Sequence, residues 1–212
     1  MTGTIKETVI LVHGLWMTGA EMSFLKRRLR SEGLHVVQFQ YRMVSKSLEH
    51  NCELLARFVR EQQDQTVHLI GHSLGGVLAL QTLKLYPDLP VEKVICLGSP
   101  LVDSSAGRRF LRFTPGRAML GKTLPEAVFE KPLVSWSGTQ TVGVIAGTRS
   151  LGLGRIITQL PRPNDGMVSL AETCLPGIAD HLEMNVGHTA LVLSAAVAKQ
   201  VICFLRYGTF RR

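Results

Sequence analysis

The chain has 212 residues, 45% of them apolar and 19% charged, which suits one domain with a single sizeable core and excludes a disordered or low-complexity polymer. Its formal net charge of +8 is uneven: nine basic residues (Arg108, Arg109, Arg112, Arg117, Lys122, Lys131, Arg149, Arg155, Arg162) stand between Ser104 and Asn164 against Glu126 and Glu130. Neither a nucleic-acid motif nor interleaved stacking aromatics accompany them, so a solvated surface is expected and nucleic acid is not, with peripheral contact to an anionic membrane surface as the alternative partner.

In chain order, Thr8 to Val12 is a short β-branched run that reads as a buried strand. Residues 19–31 place Met22, Leu25 and Leu29 at helical spacing and close at Gly33. A second strand follows over Leu34 to Tyr41. A helix runs from Ser47, a suitable N-cap, to about Gln63, with Leu48, Cys52, Leu55 and Val59 on one face. Thr66 to Ile70, Val91 to Leu97, Thr141 to Ala146 and His181 to Val186 supply four more strands, with a helix to Leu85 after the first of these and another over Thr189 to Leu205 at the end. This alternation predicts an α/β fold, a mostly parallel sheet of about six strands with helices on both faces. Between Pro100 and Lys131 the alternation breaks into two basic amphipathic pieces around Thr114-Pro115-Gly116, read as a small helical cap at about 101–131 inside a single domain spanning 1–212. Thr148 to Cys174 reads as a long irregular loop.

The N-terminal residues carry no basic segment leading into a long apolar run, and Ala190 to Leu205 is interrupted by Ser194 and Lys199-Gln200. A cytoplasmic location is therefore the expectation. The four cysteines lie far apart without C-x-x-C spacing, so no metal site and no cofactor are expected, and Cys96 and Cys203, each in an apolar run, read as buried free thiols.

Gly71-His72-Ser73-Leu74-Gly75 follows a strand and opens a helix. That context makes it a nucleophile elbow: the strained turn lifts the Ser73 hydroxyl clear, and the helix N-terminus favours developing negative charge. A serine hydroxyl needs a base. Of seven histidines, His188 lies in Gly187-His188-Thr189, between the last strand and last helix and so on the Ser73 side of the sheet. The acid that orients it should fall between the two in sequence, which points to Asp165 in Asn164-Asp165-Gly166, with Asp103 and Asp180 as rivals. Oxyanion donors are expected from the Leu74 amide and, in the His13-Gly14-Leu15-Trp16 loop, from the Leu15 amide; Trp16 and Met17 would line an acyl pocket.

His13-Gly14-Leu15-Trp16, Gly71-His72-Ser73-Leu74-Gly75-Gly76, Asn164-Asp165-Gly166-Met167-Val168 and Gly187-His188-Thr189, in that order, resemble the α/β-hydrolase superfamily and look most like its small lipase and esterase branch. The resemblance implies Ser73, Asp165 and His188 as a triad and the Leu15 and Leu74 amides as an oxyanion hole. It also implies hydrolysis of carboxylic esters through an acyl-serine, acting on a small acyl ester, lipid-like in part. Thioesterase or deacylase chemistry on the same triad, and a non-catalytic ligand-binding homologue, stay open as alternatives.

Overall fold

The computed structural model describes residues 7–62, 66–112, 114–150 and 160–212. Six strands, β1 (Thr8–Val12), β2 (His35–Phe39), β3 (Val67–His72), β4 (Val91–Leu97), β5 (Thr141–Gly147) and β6 (Asp180–Met184), form one sheet of order β2-β1-β3-β4-β5-β6. Every neighbouring pair is parallel. The inner strands β1 and β3 are buried along their whole length, whereas the outermost β2 and β6 are partly exposed. Apolar runs without alternation are what a strand covered on both faces requires.

The helices divide between those faces. On one side α1 (Ser23–Ser31) and the long C-terminal helix α9 (Ala195–Tyr207) bury Leu25, Leu29, Val197, Val201 and Phe204 against Val9, Leu11, Ile70 and Ile95. On the other, α2 (Leu48–Arg60) and α3 (Leu74–Leu85) bury Leu55, Val59, Val77 and Leu80 against Ile10, Val12, Leu69 and Val94. The Ser47 hydroxyl caps α2 by accepting the His50 amide hydrogen. Each such cap contributes about 1 kcal/mol.

Between β4 and β5 the chain makes four short helical pieces: α4 (Ser105–Phe110), α5 (Thr114–Leu120), a single turn α6 (Thr123–Pro125), and a π-helical turn, Glu126–Glu130. Thr114-Pro115 therefore begins a helix, where the sequence had suggested a break; proline in the first turn gives up no hydrogen bond, because the first amides of a helix have no partner within it. The final helical segment is likewise two helices, α8 (Ala190–Leu193) and α9, because the Ser194 hydroxyl turns back to accept the Val197 amide hydrogen. A short helix α7 (Leu170–Thr173) sits in the loop before β6, and residues 151–159 of the expected irregular stretch, with Arg155, lie outside the described residues. Cys52 and Cys96 are buried, but Cys203 is only partly so, since its position on α9 leaves the edge of the sheet face. Among the described residues no helix is long and apolar enough to cross a membrane.

Candidate active site

Parallel strands deliver all their C-terminal ends to one edge, and the singled-out residues gather there. β3 runs through His72 directly into Ser73, whose backbone adopts φ 53°, ψ −124°, before α3 begins at Leu74. A non-glycine residue in that region is strained by about 1–3 kcal/mol and is held by its surroundings. The Ser73 amide donates to Leu97 O at 2.9 Å, and the flanking glycines leave no room for side chains: a Cβ on Gly75 would lie 2.2 Å from Val12 O, and one on Gly71 2.3 Å from the Gly76 amide. Ser73 thus stands at the bend because β1 and α3 are pressed against it.

His188, in the loop after β6, donates its amide to Asp165 O at 2.9 Å, and its Nδ1 lies 2.7 Å from Asp165 Oδ2. The Asp165 side chain is 1% exposed and its second oxygen accepts the amides of Met167 and Val168 at 2.9 and 2.8 Å. Those contacts orient the carboxylate to accept from His188 Nδ1, which places the proton there and leaves the lone pair on Nε2. The rival acids are engaged elsewhere. Asp103 accepts from Arg108 Nε at 2.8 Å, and Asp180 accepts from Arg212 and from the Phe210 amide. His181, inside β6 at its far end, is bonded to Thr173 Oγ1 at 2.8 Å.

Ser73 and His188 open onto one cavity of about 260 Å³. Among the described residues no hydrogen bond joins Ser73 Oγ to His188 Nε2; such contacts commonly tighten only when substrate is present. Leu15, Trp16 and Met17 form one wall, Met167 and Val168 another, and Phe110, Leu120 and Leu124 of the helical pieces above form the roof. None of the described lining residues is Lys, Arg, Asp or Glu. Arg108, one of the basic residues expected to lie on a solvated surface, is exposed, pairs with Asp103 and lies 4.8 Å over the Phe129 ring. The loop that carries Leu15 passes directly against the serine, as a Cβ on Gly14 would come within 2.9 Å of Ser73 Cβ. Tyr41 fixes that loop by donating its hydroxyl to His13 O at 2.9 Å and stacking on the His13 ring. Trp16, at φ 57° and 47% exposed, donates Nε1–H to Met119 O at 2.8 Å and meets Phe110 edge-on.

Three contributors escaped sequence reasoning. Gly98, after β4, has φ +57° and lies directly under the Asp165–His188 pair. The buried Glu172 takes the Ser169 amide on Oε2 at 2.7 Å, the Ser105 amide on Oε1, and the Leu101 and Val102 amides on its carbonyl. His72 is buried between Met17 and His188. A turn glycine, a capping acid and a strand histidine carry no local signal that would set them apart.

Residues 9–196 match the model of the Alpha/beta hydrolase family. Compared by sequence with curated proteins, the chain matches none. Among solved structures it is similar to a Bacillus licheniformis lipase in propeptide form, at TM-score 0.77 and 17% identity, covering 98% of this chain and 51% of the lipase. A metagenomic carboxyl esterase aligns at TM-score 0.70 and 19% identity over 97% of this chain and 76% of its own. A Paleococcus ferrophilus monoacylglycerol lipase aligns at TM-score 0.65 and 16% identity over 95% and 93%. At such identities the likeness is one of fold, and the chain spans about half the length of the Bacillus lipase.

Proposed function

The chain belongs to the alpha/beta hydrolase family, and from that membership together with the chemistry of its cavity we propose that it is a serine hydrolase cleaving carboxylic esters through an acyl-enzyme on Ser73. The observation that carries the reading is the arrangement at the strand ends: a strained serine shares an apolar cavity with His188, whose Nδ1 is bonded to Asp165 at 2.7 Å.

In the proposed cycle, His188 Nε2 takes the Ser73 proton as Oγ attacks the ester carbonyl, and the Leu15 and Leu74 amides receive the oxyanion. The imidazolium, stabilised by Asp165, then gives the proton to the departing alkoxide. A water, deprotonated by the same nitrogen, releases the acid. The roles of Trp16 and Met17 are to line the acyl subsite. A neutral lining favours an uncharged acyl group, and because a cavity of about 150 Å³ accommodates benzene, one of about 260 Å³ suits an acyl portion of about ten heavy atoms.

The test is labelling with a fluorophosphonate, followed by turnover of p-nitrophenyl esters of increasing chain length beside a panel of acyl-CoA thioesters. Labelling lost in Ser73→Ala, with turnover highest for medium-chain esters, supports the reading. Labelling that persists in Ser73→Ala refutes it, and preference for the acyl-CoA panel replaces ester with thioester as the substrate.

A further inference from the structure

His72 is the last residue of β3, adjacent to Ser73, and its ring is 1% exposed. Its Nε2 lies 3.0 Å from the carbonyl oxygen of His188 and its Nδ1 3.2 Å from Met17 Sδ, with the two histidine rings 4.6 Å apart. A carbonyl oxygen only accepts, so Nε2 of His72 carries the proton and Nδ1 holds the lone pair. The other hydrogen bonds of His188 run through its amide and Nδ1 to Asp165, in a different loop, and through its carbonyl oxygen, which also accepts the Leu191 amide of its own segment at 3.3 Å. Those to Asp165 fix base against acid. Among the described hydrogen bonds, the one from His72 is what fixes the base loop to the strand that carries the nucleophile.

We propose that His72 is a positioning residue whose Nε2–H, bonded to the His188 carbonyl, sets the distance between the base and Ser73. The inference rests on the reading of Ser73 and His188 given above. Neutrality is part of the device. Burial pushes the His72 pKa down to about 3, with the neighbouring His188 acting in the same direction and the carbonyl bond and Asp165 opposing. An uncharged ring can lie against His188 without opposing the positive charge that the latter acquires on taking the serine proton. Phenylalanine at this position would keep the packing and lose the tether; glutamine would keep a donor of comparable reach.

The experiment compares the wild type with His72→Phe and His72→Gln, reading kcat and KM per fluorophosphonate-titrated site. It also reads the downfield proton resonance of the His188 Nδ1–H. A base displaced by about 1 Å loses up to about a hundredfold in rate, so His72→Phe is expected to lose about ten- to a hundredfold in kcat with KM little changed, and His72→Gln to recover most of it. The resonance should broaden or shift in His72→Phe and persist in His72→Gln. Should His72→Phe not fold, His72→Asn, whose amide falls short of the carbonyl, takes its place. Wild-type kcat and resonance in the donor-less variant, or equal impairment of the glutamine variant, overturns the proposal. Absence of Ser73 labelling in the wild type sinks the hydrolase reading alone, because the resonance still reports whether the tether holds.

Discussion

Substituting Gly98 by alanine separates backbone strain from intrusion into the site. At φ +57° an alanine costs about 1–2 kcal/mol. The added Cβ would also stand 2.5 Å from Leu191 Cδ1, 2.9 Å from Asp165 Oδ2 and 3.2 Å from His188 Nδ1. Leu191 is wholly buried and cannot swing aside, so over-packing adds about 1–3 kcal/mol. Together these amount to about 2–5 kcal/mol, and at about 2–4 °C per kcal/mol for a chain of this size the melting temperature should fall by roughly 4–20 °C. Because two of the three contacts are the proposed acid and base, kcat/KM should fall up to about a hundredfold. Gly33→Ala is the control: its φ is +84° but nothing lies within 4 Å of the added Cβ. It should melt only about 2–8 °C lower, from strain alone, with unchanged ester turnover. Calorimetry and a p-nitrophenyl ester assay on both variants decide the matter. If they match each other in melting temperature and in kcat/KM, the wedge argument is wrong.

Asp165→Asn keeps an oxygen for the Met167 and Val168 amides but turns an NH₂ towards His188, favouring the wrong tautomer, so kcat should drop about 10⁴-fold with the fold intact by circular dichroism. Burial, reinforced by Lys93, holds the His68 pKa down at about 4, and both its ring nitrogens lack hydrogen-bond partners. The unfolded chain takes up that proton below about pH 6.5 and the folded chain does not, so stability should fall as pH drops from about 6.5 to 4, by about 3 kcal/mol from this residue. His68→Leu should flatten that slope in urea titrations across the range; an unaltered slope removes His68 from the account. Burial pushes the Cys96 thiol up to about 12 and Cys52 to about 11, whereas Cys174 is exposed and Cys203 partly so. Ellman's reagent should therefore titrate Cys174 and Cys203 in the native protein and the other two only after unfolding. Trp16→Phe removes the donor to Met119 O and should raise KM for the longer esters more than it lowers kcat, measured across the chain-length series.

What the sequence disclosed about the site, it disclosed through short turns. Ser73, Asp165 and His188 each sit in a glycine-marked connection between a strand and a helix or loop, where the need for a sharp bend writes itself into neighbouring residues. The strands were legible for a related reason, since burial on both faces leaves a run such as Thr8–Val12 with no polar alternation. His72 belongs to the same motif as Ser73, yet its partner is the carbonyl of His188, 116 residues away, and no local pattern encodes that distance. The helical pieces over the cavity fall within the expected 101–131, but their division differs from the two pieces expected around Thr114-Pro115-Gly116, because Pro115 signals both a break and a helix start. Ser194 hid a helix boundary inside an otherwise apolar stretch, as its side chain acts as a cap only once α8 has turned away.

Glu172 has a practical consequence for anyone exchanging segments between scaffolds. Its carboxylate serves the first turn of α4 and the first turn of α7, while the far side of the helical insert is fixed independently, through the Lys122 and Thr123 amides to Val44 O and Met43 O. The insert is thus tied at both ends, and in its middle Met119 O accepts the Trp16 Nε1–H, so a segment exchanged between Ser105 and Gly121 has to present a backbone amide to Glu172 and a carbonyl to Trp16. A splice that removed the Ser105 amide would strip one partner from a buried carboxylate, whose other oxygen holds the Ser169 amide at the start of α7, so the cost would reach beyond the insert.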